Sequence, residues 1–199
     1  TGLETRSTDS NLRTAYERVA PTIYALTAAI DAKDSYTFIH SMNVSKYAVI
    51  LARDLGMSEN DIELVRDAGM LHDIGKIGID EKILNKPGKL TPEEFKVIQT
   101  HSMLGAKMLH DLDGFAEQPL LQTAYEIARW HHERWDGRGY PDGLKGDEIP
   151  ISAQLVSLAD VYDALTSERC YKKAFSHEKA VQMILNGECG AFNPLLLQC

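Results

Sequence analysis

An all-α bundle is the fold class this sequence predicts, and three observations carry it. Apolar residues recur three or four apart along most of the chain, as one buried helical stripe requires. No segment shows the alternating period of a strand. The breaks in the helical pattern fall at capping residues, glycines and prolines.

The elements follow in order. Leu12, Tyr16, Val19, Ile23, Leu26 and Ile30 form one stripe over about 10–31, which Pro21 is expected to kink or split. Residues 35–55 continue with Ile39, Val44, Tyr47, Ile50 and Leu51 and stop before Gly56. Ser58, with Asp61 three residues on, opens a helix expected to reach about Ile74, where Gly75 and Gly78 offer stops. Thr91-Pro92-Glu93-Glu94 combines a cap, a proline in the first turn and a capping-box glutamate, and starts a helix to about His110. Further helices are expected over about 119–132, over about 152–167 after Pro150, and from the Ser176 cap to about Asn186. Asn193-Pro194 should begin a last one.

Between about 133 and 149 the pattern lapses, and Gly137, Gly139, Pro141, Gly143 and Gly146 fall together. A loop that long in a compact domain is functional or disordered. Trp135 and Tyr140 predict an ordered one, with Gly137 and Gly139 permitting positive φ and Pro141 stiffening the turn.

Composition narrows the function. The chain has 199 residues, 44% of them hydrophobic and 25% charged, enough for one globular core. Its net charge of −8 speaks against a nucleic-acid polymer or an anionic membrane as partner. A small anion held by local cations is still compatible with it. No apolar run approaches about 18 residues, so no membrane contact is expected. Cys170, Cys189 and Cys199, with no Cys-x-x-Cys, fit a reducing cytoplasm. Thr1 in place of an initiator Met reads as part of a larger protein.

The histidines carry the chemistry. His72-Asp73 stand near an expected helix end, and His131-His132 lead into the glycine-rich loop. His40, His101 and Asp160 each fall on a different helix. Adjacent side chains on a helix diverge by roughly 100°, yet a neighbouring pair can meet at one metal, or Asp73 can bridge two. A mixed imidazole and carboxylate set suits iron, manganese, zinc or nickel better than calcium. The set is too large for one ion and suits two. A lone histidine on an apolar helix is most often packed or solvated, and His110 and His177 keep that reading. Lys76, taken alone, is a residue that caps a helix end, and Arg169 with Lys172 reads as a solvated face.

Several blocks together resemble the HD-GYP family. They are His72-Asp73-Ile74-Gly75-Lys76-Ile77-Gly78, Asn85 to Leu90 and Thr91 to His101, then Gly139-Tyr140-Pro141, Leu158 to Thr166 and Phe192-Asn193-Pro194. They run in order from about residue 33 to the end. The resemblance implies a compact helical HD-domain bundle over 32–199, behind a leader helix over 1–31, with a long ordered GYP loop. It implies a metal-dependent phosphodiesterase that opens cyclic di-GMP to linear pGpG, and onward to GMP in some members, by attack of a hydroxide bridging two metals.

Carried over residue by residue, the resemblance makes His40, His72, Asp73 and Asp160 the ligands of one metal. Asp73 also reaches a second, held by His101, His131 and His132. Iron or manganese is implied, with zinc, nickel or cobalt as substitutes on purification. Lys76 would contact one substrate phosphate, and Arg169 and Lys172 the other. Some members hold a third metal through a Glu one helical turn before the first His; Tyr36 stands there, so two metals are expected. The GYP loop is expected to position a metal-bearing helix and to meet partners such as diguanylate cyclases or adaptor proteins. The leader helix is expected to pair in a homodimer, to relay a signal, or to cover the domain's own core. The expected setting is cytoplasmic, within a larger bacterial signalling protein. Two alternatives stay open: a cyclic di-GMP sensor that does not hydrolyse, and an enzyme for another cyclic dinucleotide such as cyclic GMP-AMP.

Overall fold

The structure, a computed structural model, describes residues 21–33, 39–168 and 173–199. Expectations for Leu12, Tyr16, Val19, Tyr36, Arg169, Cys170 and Lys172 lie outside the described residues.

All regular structure among the described residues is helical. The described residues 21–33 are helical and are labelled α1. It is followed by α2 (Ile39–Asp54), α3 (Glu59–Gly69), a 3-10 segment (Ile74–Gly78) and the short α4 (Glu81–Leu84). Then come α5 (Pro92–His110), α6 (Pro119–Trp130), α7 (Ile151–Thr166) and α8 (His177–Leu185).

Local chemistry explains most starts. Ser58 accepts from Asp61 N, Ser176 from Lys179 N, and Thr91 and Glu94 close a reciprocal capping box. Asp80 caps α4 by accepting from Lys82 N, a start the helical periodicity did not reveal.

Two expected helices are shorter than read. The one from Ser58 leaves α geometry at Gly69 instead of Ile74. Leu71 N and His72 N donate to Ala68 and Gly69 three residues back, and the His72 ring also takes the Gly69 carbonyl. With those carbonyls used, the chain tightens into turns. The segment after Asn193-Pro194 forms only a 3-10 turn, Leu196–Gln198. There Asn193 spends its side chain on Leu195 N and Gln154.

The core joins α2, α3, α6 and α7. Val44, Ala48 and Ala52 meet Val65, Ala68, Ala124, Ile127, Ala128, Leu155 and Val156, all buried. The many alanines let the helices approach closely, since interaxial distance follows side-chain size. Burying each large aliphatic contributes about 1.5–3 kcal/mol. α1 packs onto this core through Ile23 and Ile30. Its Thr27 donates to Met70 O, its Asp31 accepts from Ser41, and Lys33 Nζ donates to Ile79 O. The described part of the expected leader therefore covers the domain's own core.

Candidate metal centre

Five elements deliver one cluster. His40 comes from the start of α2, His72 and Asp73 from the turn after α3, and His101 from the middle of α5. His131 and His132 follow the end of α6, and Asp160 lies on α7. Two groups have ligand atoms all within 4.8 Å of one another: Asp73, His101, His131 and His132, and His40, His72 and Asp73.

Asp73 belongs to both groups, and its two oxygens divide between them. Oδ1 lies 3.3 Å from His101 Nε2 and 3.8 Å from His131 Nε2. Oδ2 lies 3.2 Å from His72 Nε2 and 2.8 Å from Lys76 Nζ. Asp160 joins through His40, Oδ1 to Nε2 at 3.4 Å, and stands outside both tight groups.

The imidazoles are turned the same way. His72, His101 and His131 donate Nδ1–H to the carbonyls of Gly69, Ile98 and Ile127 at 2.9, 2.7 and 2.8 Å. A carbonyl only accepts, so each Nε2 keeps its lone pair for the centre. Outer hydrogen bonds of this kind are what fix metal-ligating histidines. His72 Nε2 and His131 Nε2 are buried with no hydrogen-bond partner. Leaving such an atom unpaired costs about 1–3 kcal/mol. A cation at the centre would satisfy both, so the residues fit a metal.

Electrostatics separate the two halves: His101, His131 and His132 are shifted toward the neutral form, whereas neighbouring carboxylates outweigh burial and raise His40 and His72. Burial pushes His131 down to about 3, and burial likewise lowers His101 and takes His132 well below the usual range. Neutral imidazole is the ligating form. Burial would raise Asp73, but Lys76 and His72 outweigh it and hold the carboxyl well below the usual range. Burial would lower His40, but Asp160 and Asp163 outweigh it and raise the ring to about 10.

Gly75 sets how near the turn comes to α5. A Cβ there would stand 1.9 Å from the His101 carbonyl oxygen, so only glycine fits. Lys76 is half-buried and held on Asp73 Oδ2.

The glycine-rich loop is ordered by specific ties. Arg129 grips Asp142 with Nε and Nη2 at 2.8 and 3.1 Å, and Trp130 Nε1 adds a bond of 2.7 Å. Glu133 Oε1 accepts from Asp142 N and Gly143 N at 2.7 and 3.0 Å. Tyr140 stacks on His132 with centroids 4.7 Å apart, and the Tyr140–Pro141 peptide is cis. Gly137 has φ 80°, as expected. Gly139 does not have positive φ. It is needed for close approach instead, because a Cβ would stand 2.3 Å from Glu133 Cα. Asp136 accepts from Arg138 N, so those two residues tie the loop to itself.

Sequence reading missed three participants. Asp163 receives the His40 Nδ1 proton at 2.7 Å; its place three residues after Asp160 on one helix was the available signal. Glu133 was hidden beside two histidines, and buried Asp31 near His40 had no signal at all.

The family model of the HD domain matches residues 20–191. The chain belongs to the HD domain family. This HD domain is 43% identical over 185 residues to a probable cyclic di-GMP phosphodiesterase of Vibrio cholerae, covering 88% of this chain and 42% of that one. It is 38% identical over 176 residues to the 3'3'-cGAMP-specific phosphodiesterase 2 of the same organism, covering 88% of this chain and 33% of that one. A solved cyclic GMP-AMP specific phosphodiesterase of V. cholerae superposes with a TM-score of 0.65 at 19% identity, over 90% of this chain and 47% of that one. That likeness concerns the fold. The HD domain spans about two fifths of the length of the first curated relatives it matches. The match from residue 20 takes in α1.

Proposed function

We propose that this HD domain hydrolyses cyclic di-GMP at a centre of two divalent transition-metal ions. The observation that carries the reading is the pair of buried, unpartnered Nε2 atoms of His72 and His131 beside the shared carboxylate of Asp73. His40, His72, Asp73 and Asp160 would hold one ion, and Asp73, His101, His131 and His132 the other. The mixed nitrogen and oxygen set favours iron or manganese, with zinc, nickel or cobalt as substitutes. Two such ions, when bound, supply a water acidified to near neutrality and a Lewis acid for a phosphodiester oxygen.

The chain's own residues do the rest. Asp73 holds the two halves in register from a turn that Gly75 presses against α5. Lys76 brings an ammonium, held 2.8 Å from Asp73 Oδ2. A phosphate oxygen arriving beside Asp73 would meet that positive charge. Arg169 and Lys172 are proposed to bind the second phosphate. Local cations of this kind let a chain of net charge −8 accept a small dianion. Tyr36, at the position where other members carry a Glu, supports linear pGpG as the end product. The length of the named relatives supports a setting within a longer signalling protein.

The test is turnover by protein purified without air and loaded with Fe2+ or Mn2+. Cyclic di-GMP and 3'3'-cGAMP are supplied separately, because a relative is named for the latter. Linear pGpG as the main product is expected. Tight binding without any linear product would overturn hydrolysis and leave a sensor. Preferential opening of 3'3'-cGAMP would overturn the substrate.

A further inference from the structure

His72, His101 and His131 are oriented by main-chain carbonyls, which no substitution removes. His40 is oriented by a side chain, its Nδ1 lying 2.7 Å from Asp163 Oδ2. Asp163 is 1% exposed. Its other oxygen accepts from Asn43 Nδ2 and from Ser167 Oγ, each at 3.0 Å. Asn43 lies three residues after His40 on α2, and Ser167 ends α7. The packing of α2 on α7 thus builds one buried network in which each carboxylate oxygen is met by donors. A fully satisfied buried network holds a single arrangement.

An ionised carboxylate only accepts. Nδ1 of His40 therefore keeps its proton, which leaves Nε2, 3.4 Å from Asp160 Oδ1, as the nitrogen that a cation would take. We propose that Asp163 is a positioning residue that sets the tautomer of His40. It thereby acts on the half of the centre built from His40, His72 and Asp73, and not on the half built from His101, His131 and His132. This rests on the metal-centre reading above.

Asp163→Asn is the informative change, because the amide keeps the shape but offers one acceptor and one donor. With its oxygen toward Asn43, its NH2 faces His40 Nδ1. That nitrogen must then accept, the proton moves to Nε2, and the ligating lone pair is lost. With the amide reversed, two NH2 groups meet at Asn43 in a buried site. Adding Asn43→Ala removes this conflict. The amide oxygen can then take the His40 proton, and Ser167 Oγ can accept from the NH2.

Two readouts decide. One is Mn2+ binding to the metal-free protein, followed by the electron paramagnetic resonance of free Mn2+. The other is the His40 tautomer in the metal-free protein, from imidazole 15N shifts taken at a pH above about 10, where the ring is neutral. The wild type should bind two ions and show His40 protonated on Nδ1. Asp163→Asn should weaken one ion by about 10–100-fold, leave the other unchanged, and move the His40 proton to Nε2. The double variant should recover the tautomer and most of the affinity. Two ions bound with wild-type affinity in Asp163→Asn would overturn the proposal, as would a double variant that recovers nothing. A wild type that binds no ion would overturn the metal-centre reading itself, and the tautomer shift still shows separately whether Asp163 sets His40. If Asp163→Asn does not fold, Ser167→Ala removes a single donor from the same carboxylate. It should weaken the same one ion, and equal weakening of both ions, or of neither, would overturn the proposal.

Discussion

Replacing Gly75 by alanine tests whether the fold confines the His72-Asp73 turn against α5. A Cβ on Gly75 would stand 1.9 Å from the His101 carbonyl oxygen, 2.5 Å from Gly105 N and 2.8 Å from the His101 carbonyl carbon. All three are backbone atoms, so no side chain can swing aside. Ordinary contact lies at about 3.5 Å or beyond, so the 3-10 segment must retreat by about 1.5 Å. Asp73 Oδ1, 3.3 Å from His101 Nε2, would be carried away with it. A misplacement of about 1 Å at a reacting centre costs on the order of 100-fold, so turnover should fall at least that far. Overpacking of this kind destabilises by about 1–3 kcal/mol, which is about 2–12 °C in Tm for a chain of this size. The assays are chromatographic hydrolysis of cyclic di-GMP by the loaded protein and thermal unfolding of the metal-free protein. Turnover and Tm both close to wild type would refute the reasoning, because the segment would then be free to move without consequence.

Other substitutions separate the parts of the centre. Asp73→Ala should weaken both ions, while His131→Ala should weaken one, each by at least about 100-fold; equal loss in the two variants, by elemental analysis, would contradict the shared role of Asp73. The His131 ring is held near 3 in the fold against 6.5 when free, so the unfolded chain takes up the proton first on acidification. The stability owed to neutral His131 is complete above pH 6.5 and lost as pH falls toward 3, so the metal-free protein should melt progressively lower across that window. A His131→Gln variant should lose part of that slope, and an unchanged slope would count against the assignment. Glu133→Ala strips the acceptor from Asp142 N and Gly143 N, at about 1–3 kcal/mol for the two bonds because both residues are exposed and their amides can turn to water; tryptic cleavage after exposed Arg138 should accelerate. Tyr140→Ala removes the ring stacked on His132 and should lower metal content and turnover together, whereas Tyr140→Phe should preserve both. Full activity and metal content in Tyr140→Ala would show that the loop does not position His132.

What could be read from the chain was local. Ser58, Thr91-Glu94 and Ser176 cap their helices by bonds spanning three residues, so the residue types alone announce them. The overrun of α3 to Ile74 has the opposite cause. The apolar period continues through Leu71 and Ile74, while carbonyl bonds and the nearness of α5 end the helix at Gly69. The residue types of the cluster were legible too, because histidines and aspartates in those blocks form a recognisable set.

Their arrangement was not. That Asp73 sends one oxygen to each half depends on a turn pressed onto α5 by contacts distant in sequence. That Asp163 accepts from His40 Nδ1 depends on α2 lying against α7, the two residues being 123 apart along the chain. That Glu133 holds the loop depends on Gly139 passing beneath it. By itself, the sequence determined the helical class, the caps and the inventory of donor atoms, because these follow from neighbours a few residues apart. The tertiary structure decided which donors face one another and which protons they keep, because burial and orientation are set by helices that meet only when the chain is folded.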